Sequence, residues 1–174
     1  MNEVKVMSFN LRIRVEVDGA NFFDLRCPKS ISVIDVIGFQ EANDVMLEML
    51  MEGLPGYVFL GHGREEGYCG EGTFIAYKKK RFYLHAFREE WLSPTPSVPN
   101  SRIKGLDQSG CPRVYCCAEL VDRETKKLFA FYNVHLDHKG RLAQVAECMM
   151  LCQRIAEGNL PFVLTGDFNA QPDQ

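Results

Sequence analysis

The run Val33-Ile34-Asp35-Val36-Ile37-Gly38-Phe39 is almost unbroken in apolar residues and stops at Gln40-Glu41. Such a run reads as a central strand, and a central strand is covered on both faces. The chain must therefore build layers on both sides of it. A second apolar run, Phe162-Val163-Leu164, follows Pro161 and breaks at Thr165-Gly166. Asp167 and Asn169 come next, with Phe168 between them. A strand that stops at a glycine and releases two polar side chains is a common way to build a site. Residues two apart share a face of a strand. If the extended backbone continues, Asp167 and Asn169 point to one place, where a carboxylate and an amide can orient a water and hold an oxyanion. On Asp-x-Asn alone, an Asx turn is the plainer reading.

Other segments fill in the layers. Val4 to Asn10 alternates and reads as a first strand with a polar end. Arg12 to Phe23 reads as a loop. Leu25 to Ser32 contains Pro28 and is too short for a three-turn helix. Asn43 is placed to cap a helix that carries Val45, Met46, Met49 and Leu50 on one face and stops at Gly53. Pro55-Gly56 is a turn, and Tyr57 to Leu60 a short strand. His62 to Gly72, rich in glycine, reads as a mobile surface loop. A strand follows it rather than a helix, which excludes a phosphate-cradling GxGxxG turn. Thr73 to Tyr77 and Phe82 to Phe87 read as strands, with Lys78 to Arg81 as a solvated hairpin tip.

Ser93 to Pro112 is too long for a simple connector. Val114 to Val121 and Leu128 to His135 read as strands around a charged turn. Gly140 to Glu157 is the clearest helix, with Leu142, Val145, Ala146, Met149, Cys152 and Ile155 as its apolar stripe. Antiparallel hairpins combined with strand-helix-strand crossovers point to stacked mixed sheets with helices outside.

Composition narrows the partners. The net charge is −3, which disfavours broad binding to nucleic acid and favours a phosphorylated small molecule. No apolar run approaches 18 residues, so no membrane span is expected. The N-terminus lacks a signal-peptide core. Seven cysteines, an odd number with several in apolar segments, fit reduced thiols and a cytoplasmic location. Cys148 and Cys152 read as core filler and not as zinc ligands. No protein partner is evident.

Polar residues recur at strand ends: Asn10, Glu41, His135 with Asp137, and Asp167 with Asn169, while Arg113 opens another strand. Such a set suggests one shared rim. Glu41 and Asp167 are hard oxygen ligands suited to Mg²⁺ or Mn²⁺. Arg113, His135 and the asparagines are donors suited to a phosphate. No serine or cysteine sits at a comparable strand-to-helix elbow, so water activated by metal and carboxylate is the economical chemistry. Trp91 and Tyr77 read as core or rim packing. A zinc motif of the form HxHxDH would need a histidine where Asn133 stands.

The segments MSFNLR (Met7 to Arg12), DVIGFQEA (Asp35 to Ala42), CPRVY (Cys111 to Tyr115), YNVHLDH (Tyr132 to His138) and LTGDFNA (Leu164 to Ala170) occur in this order. Together they resemble the endonuclease/exonuclease/phosphatase superfamily of deoxyribonuclease I-like and exonuclease III-like metal-dependent phosphohydrolases. The resemblance spans essentially the whole chain, residues 1–174, as one domain. It implies an α/β fold, a four-layer αββα sandwich of two mixed sheets with outer helices and a site at the top of the sheets. It further implies Mg²⁺ (or Mn²⁺) at Glu41 with Asn10 nearby, and Asp167 aligning the attacking water. Asn10, His135 and Asn169 would hold the phosphate, with Arg113 lining its seat. Asp137 and His138 would support the site from behind. The implied reaction is hydrolysis of a phosphomonoester or phosphodiester.

Two features depart from that pattern. The family helix before the DVIGFQE strand is cut down to Leu25–Ser32. The chain also reaches Gln174 just after GDFNA, where the family continues to a Ser-Asp-His motif. The expectation is a fold incomplete at the C-terminus, with open sheet edges and impaired turnover. The alternative is a catalytically inactive remnant or phosphate-binding module of the same fold.

Overall fold

The computed structural model describes residues 3–26 and 31–171. Cys27 and Pro28, both in the shortened segment, lie outside the described residues. In chain order the elements are β1 (Val6–Asn10), α1 (Phe23–Arg26), β2 (Val36–Ala42), α2 (Asp44–Gly53), β3 (Tyr57–Leu60), β4 (Gly72–Lys78), β5 (Phe82–Trp91), β6 (Val114–Asp122), β7 (Leu128–His135), α3 (Arg141–Ala156) and β8 (Phe162–Asp167). They form two four-stranded sheets, ordered β1-β2-β4-β3 and β5-β6-β7-β8. Each sheet is mixed. The pairs β1–β2 and β7–β8 are parallel, and the remaining neighbours are antiparallel.

Strand alternation sorts the apolar residues into three layers of contact. Ile37, Phe39, Phe74 and Ala76 face Met46 and Leu50 of α2. Val36, Ile75 and Tyr77 of one sheet face Cys116, Ala118, Leu120 and Phe131 of the other. Tyr115, Cys117, Tyr132 and Val134 face Leu151 of α3. Helix, sheet, sheet and helix are thus stacked in the αββα order that the sequence resemblance implies.

Toward the upper end the layer between the sheets turns polar. Gln40 Nε2 donates to Asn133 Oδ1 at 2.6 Å, and the Asn133 amide donates to the carbonyls of Phe39 (2.9 Å) and Phe74 (3.0 Å). Thr165 Oγ1 reaches Asn133 Oδ1 at 3.2 Å. The cluster fits because position 38 is glycine. A Cβ there would lie 2.4 Å from Thr165 Oγ1 and 2.5 Å from Asn133 Oδ1. These satisfied polar groups pin the two sheets in register directly beneath the candidate site.

Helix α2 begins as the sequence predicts, with Asn43 accepting from the Met46 backbone N–H at 3.0 Å. Its inward face is Met46 and Leu50, whereas Val45 is exposed. The segment read as an unbroken loop after Arg12 carries a 3₁₀ turn at Glu16–Asn21 and the single helical turn of α1. Lys78 to Arg81 is no hairpin tip, because β4 and β5 belong to different sheets. Lys78 and Arg81 converge instead on the buried Asp35, at 3.0 and 2.8 Å.

The largest correction concerns α3. Most of its predicted stripe is turned outward: Leu142, Val145, Met149 and Cys152 are exposed, as is Cys148, whereas Ala146 is half-buried, Ile155 packs on the core, and Ala143, Gln144, Glu147 and Leu151 are buried. The cause is polar. Gln144 Nε2 donates to the carbonyls of Asp137 (2.6 Å) and Asn169 (2.9 Å), and Glu147 Oε2 accepts from the Asp137 N–H at 2.8 Å. Buried backbone groups left unpaired would cost more than an exposed apolar stripe does. Asp107, from the long Ser93–Pro112 segment, caps this helix by accepting from the N–H of Ala143 at 2.9 Å and of Leu142 at 3.3 Å. Among the described residues, no helix is long and apolar enough to cross a membrane.

Candidate active site

Both parallel strand pairs deliver their C-terminal ends to the same edge of the sandwich. In β1–β2 the pair Asn10–Gln40 closes the ladder, and in β7–β8 the pair His135–Asp167 does so. The sequence expectation that Asn10, Glu41, His135 and Asp167 share one rim holds. Single ligand atoms from Glu41, His135 and Asp167 lie within 4.8 Å of one another.

Local backbone geometry aims these groups. The β2–β4 register slips between Gln40 and Ala42, and Glu41, the bulged residue, adopts φ +61°. A non-glycine residue held there is strained, and such strain collects where a side chain must be re-aimed. Glu41 Oε1 accepts from Asn10 Nδ2 at 2.9 Å, and Oε2 from the Ile13 N–H at 2.9 Å. The Asn10 amide also donates to Asp167 Oδ2 at 2.7 Å, so it straps the two carboxylates together, while its oxygen accepts from the Arg12 N–H.

The extended backbone does not persist beyond Asp167. Asn169 takes φ +48°, and its N–H donates to Asp167 Oδ1 at 2.9 Å, which is an Asx turn. The plainer sequence reading of Asp-x-Asn therefore describes the local geometry, and that turn is what fixes the Asp167 carboxylate. Asn169 Nδ2 donates to the Leu136 carbonyl at 2.9 Å.

Arg113 sits beside β6, 2% exposed. Its Nη2 contacts His138 Nδ1 at 2.7 Å, and its Nε lies 3.6 Å from Asp137 Oδ2. Asp137 accepts from the Ser109 hydroxyl and from the backbone N–H groups of Ser109, Lys139 and Gly140. His138 and Asp137 thus hold the Arg113 guanidinium in place.

The sequence reading missed two members. Arg64, in the glycine-rich segment, is 5% exposed and lines a pocket of about 300 Å³ together with Glu41, Arg113, His135, His138 and Asn169. That segment is pinned rather than loose. A bridge joins Gly63 to Gly72, and a Cβ at Gly63 would meet the Cys69 carbonyl at 2.1 Å. The Arg64 carbonyl accepts from Trp91 Nε1 at 2.7 Å, which gives the buried Trp91 its place in the packing. Tyr77 is buried between the sheets. Glu147, the second missed residue, reaches the Asp137 loop from α3 and also accepts from Gln108 at 3.2 Å. The available signal for it was a lone acid in the middle of α3, flanked by Ala146 and Cys148.

Charge follows from burial and neighbours. Burial, then the charge of Arg113, outweigh the pull of Asp167 and push the His135 pKa down to about 4. His135 is therefore neutral at pH 7, and its approach to Asp167 at 3.9 Å is not an ion pair. Burial would raise Asp167, yet the Asn10 amide, the Asn169 N–H and the charge of Arg113 hold it below the usual carboxylate range. Burial likewise opposes the four donors on Asp137, which prevail and bring it to about 2. For Glu147 burial wins and raises its pKa to about 7. On the far side of the Asn10–Asp167–Asn169 ridge lies an open cleft of about 800 Å³ lined also by Ser8, Gln40, Phe168 and Gln171.

Comparison with known proteins is consistent with this layout. The sequence profile of the Endonuclease/Exonuclease/phosphatase family matches residues 19–174. A family protein from Bacteroides thetaiotaomicron superposes with a TM-score of 0.91 at 33% identity, covering 98% of this chain and 65% of that one. A mannosyl-6-phosphatase from the same organism gives 0.90 at 32% identity, covering 99% of this chain and 67% of that one. The fold alone is shared with D. rerio TDP2, complexed with a single-strand DNA product, at a TM-score of 0.73 and 17% identity, covering 98% of this chain and 62% of that one. The chain thus spans about 65% of the length of the first of these relatives. No curated protein matches it.

Proposed function

Because the chain belongs to the endonuclease/exonuclease/phosphatase family, whose members include hydrolases of phosphate esters, we propose that it hydrolyses a phosphate ester with the help of Mg²⁺ or Mn²⁺. The observation that carries this reading is the convergence of Glu41, His135 and Asp167 within 4.8 Å beside a buried arginine. Two carboxylates and a neutral imidazole are a donor set that suits a hard or borderline divalent cation. Such a cation would neutralise charge on the phosphoryl and leaving oxygens.

The chain's own groups do the positioning. Asp167, held ionised by its donors, accepts a hydrogen bond from the attacking water and sets its line of approach. The second hydrogen of the Asn169 amide and the Arg113 guanidinium donate to the phosphoryl oxygens. Asn10 keeps Glu41 and Asp167 at fixed separation. Positioning and preorganised charge supply most of the rate in phosphoryl transfer. The modest pocket and the net charge of −3 favour a phosphorylated small molecule over a nucleic acid.

The test is hydrolysis of p-nitrophenyl phosphate and bis-p-nitrophenyl phosphate by the 174-residue chain, with Mn²⁺ and with EDTA, alongside calorimetric Mn²⁺ titration. Metal-dependent release of p-nitrophenol is expected, and release that survives EDTA would overturn the reading. A second reading, phosphate binding without turnover, rests on the same residues, because Arg113 and the Asn169 amide can hold a phosphate without activating a water. Saturable Mn²⁺ and phosphate binding with no p-nitrophenol release would select it.

A further inference from the structure

Among the described residues, five buried side-chain nitrogens have no hydrogen-bond partner: Arg64 Nε, Arg81 Nε, Arg113 Nε, Arg113 Nη1 and His135 Nδ1. All but Arg81 Nε belong to residues that line the one pocket of about 300 Å³. Buried guanidinium donors are costly to leave unpaired, and the concentration of Arg64 Nε, Arg113 Nε and Arg113 Nη1 in a single pocket points to an anion beside them.

The two guanidiniums come from different parts of the chain, and each is held by a neighbour on the pocket wall, Glu71 for Arg64 and His138 for Arg113. Arg64 Nη2 donates to Glu71 Oε2 at 2.8 Å, and its backbone is clamped by Trp91 and Glu71. Arg113 Nη2 meets His138, and Asp137 stands 3.6 Å from its Nε. The forks are therefore fixed, and among the described residues Arg64 Nε and Arg113 Nη1 have no protein acceptor. The arginines are close enough that Arg64, after burial, lowers the pKa of Arg113. An anion between them would relieve that repulsion.

We propose that Arg64 and Arg113 form the seat of a terminal phosphate, and that Arg64 is the residue that selects phosphomonoesters over phosphodiesters. The proposal rests on the hydrolase reading above and narrows its substrate class. A monoester presents three non-bridging oxygens, enough to meet the carboxylate–cation side and still accept from both arginines. A diester presents two, and its second ester group would lie against a buried guanidinium as a poor acceptor. The leaving group of a monoester then has the 800 Å³ cleft beyond Asn169, which borders both spaces.

The experiment is equilibrium binding of methyl phosphate and dimethyl phosphate to the full chain with Mn²⁺ present, for the wild type, Arg64→Met and Arg64→Lys. The wild type is expected to prefer methyl phosphate by at least about tenfold, the scale of one charge-assisted hydrogen bond. Arg64→Met should lower methyl phosphate affinity by about tenfold or more and change dimethyl phosphate affinity by less than about twofold, with Arg64→Lys in between. Trp91 fluorescence reports whether the clamped segment is intact. If Arg64→Met fails to fold, the selectivity ratio of Arg64→Lys decides the matter. Equal wild-type affinity for the two esters, or equal losses for both in the variants, overturns the selectivity role of Arg64 and leaves the hydrolase reading standing. If neither ester binds the wild type, the hydrolase reading itself fails, and this proposal falls with it.

Discussion

On one side of the site, Asn10, Glu41 and Asp167 stand at the ends of parallel strands and are tied to one another by the Asn10 amide. On the other, Arg64 and Arg113 come from a glycine-rich segment and from the residue ahead of β6, and each is tied to its own partner, Glu71 or His138. The acidic wall is built by sheet register, which places side chains to within a rotamer. The cationic wall is built by side-chain pairing over long sequence separations, such as Ser109 with Asp137 and Gln108 with Glu147. The first wall is therefore rigid for reasons of backbone and the second for reasons of hydrogen bonding, so the two should fail separately.

The largest effect should come from Glu41→Ala, which is expected to weaken Mn²⁺ binding by roughly 100-fold or more by calorimetry. Its counterpart Arg113→Met should keep Mn²⁺ affinity within about twofold yet weaken inorganic phosphate binding by about 30-fold. If Arg113→Met costs as much metal affinity as Glu41→Ala does, the walls are one unit and the distinction collapses.

Next in size is the pH response of the buried acid behind the cationic wall. Folded Glu147 titrates near 7, above the 4.5 of the unfolded chain. The folded state therefore holds an extra proton between those values. The stability it contributes is complete below about pH 4.5 and is lost as pH rises through 7, by roughly 3 kcal/mol. His135, with a folded pKa of about 4 against 6.5 unfolded, has the opposite slope, losing stability as pH falls from 6.5 to 4. In the wild type the two trends offset each other between pH 4.5 and 6.5. Urea melts of Glu147→Gln in EDTA should show the variant gaining on the wild type as pH rises from 4.5 to 7. A constant difference across that range would mean that Glu147 does not hold the proton.

A smaller effect tests the floor the walls share. Gly38→Ala would drive a methyl into Asn133 and Thr165 and is expected to cost about 2 kcal/mol in a denaturant melt. Because the floor carries both walls, Mn²⁺ and phosphate affinity should fall together in this variant. Loss of only one of them would show that the walls do not rest on a common support.

The acidic wall was legible in the sequence because each of its members is the polar stop of an apolar run, a pattern written in consecutive residues. Asn10, Glu41, His135 and Asp167 could be found that way, and the Asx turn at Asp167 was the simplest reading of Asp-x-Asn. Arg64 could not be found, because nothing in a glycine-rich stretch says that Gly63 and Gly72 close on one another. Nor could the face of α3 be chosen. Its apolar stripe suggested one side, and the buried Gln144 and Glu147 took the other. Only the folded chain brings unpaired backbone groups of Asp137 and Asn169 to that helix.

By itself, then, the sequence determined the layers of this protein, its strands and the identity of the carboxylates, since periodicity and chain punctuation act over a few residues. Tertiary structure alone decided which arginine joins Arg113, which face of α3 turns inward and how Glu41 is aimed. Those outcomes depend on satisfying buried polar groups between segments far apart in the chain, and the free energy of doing so exists only once the segments have met.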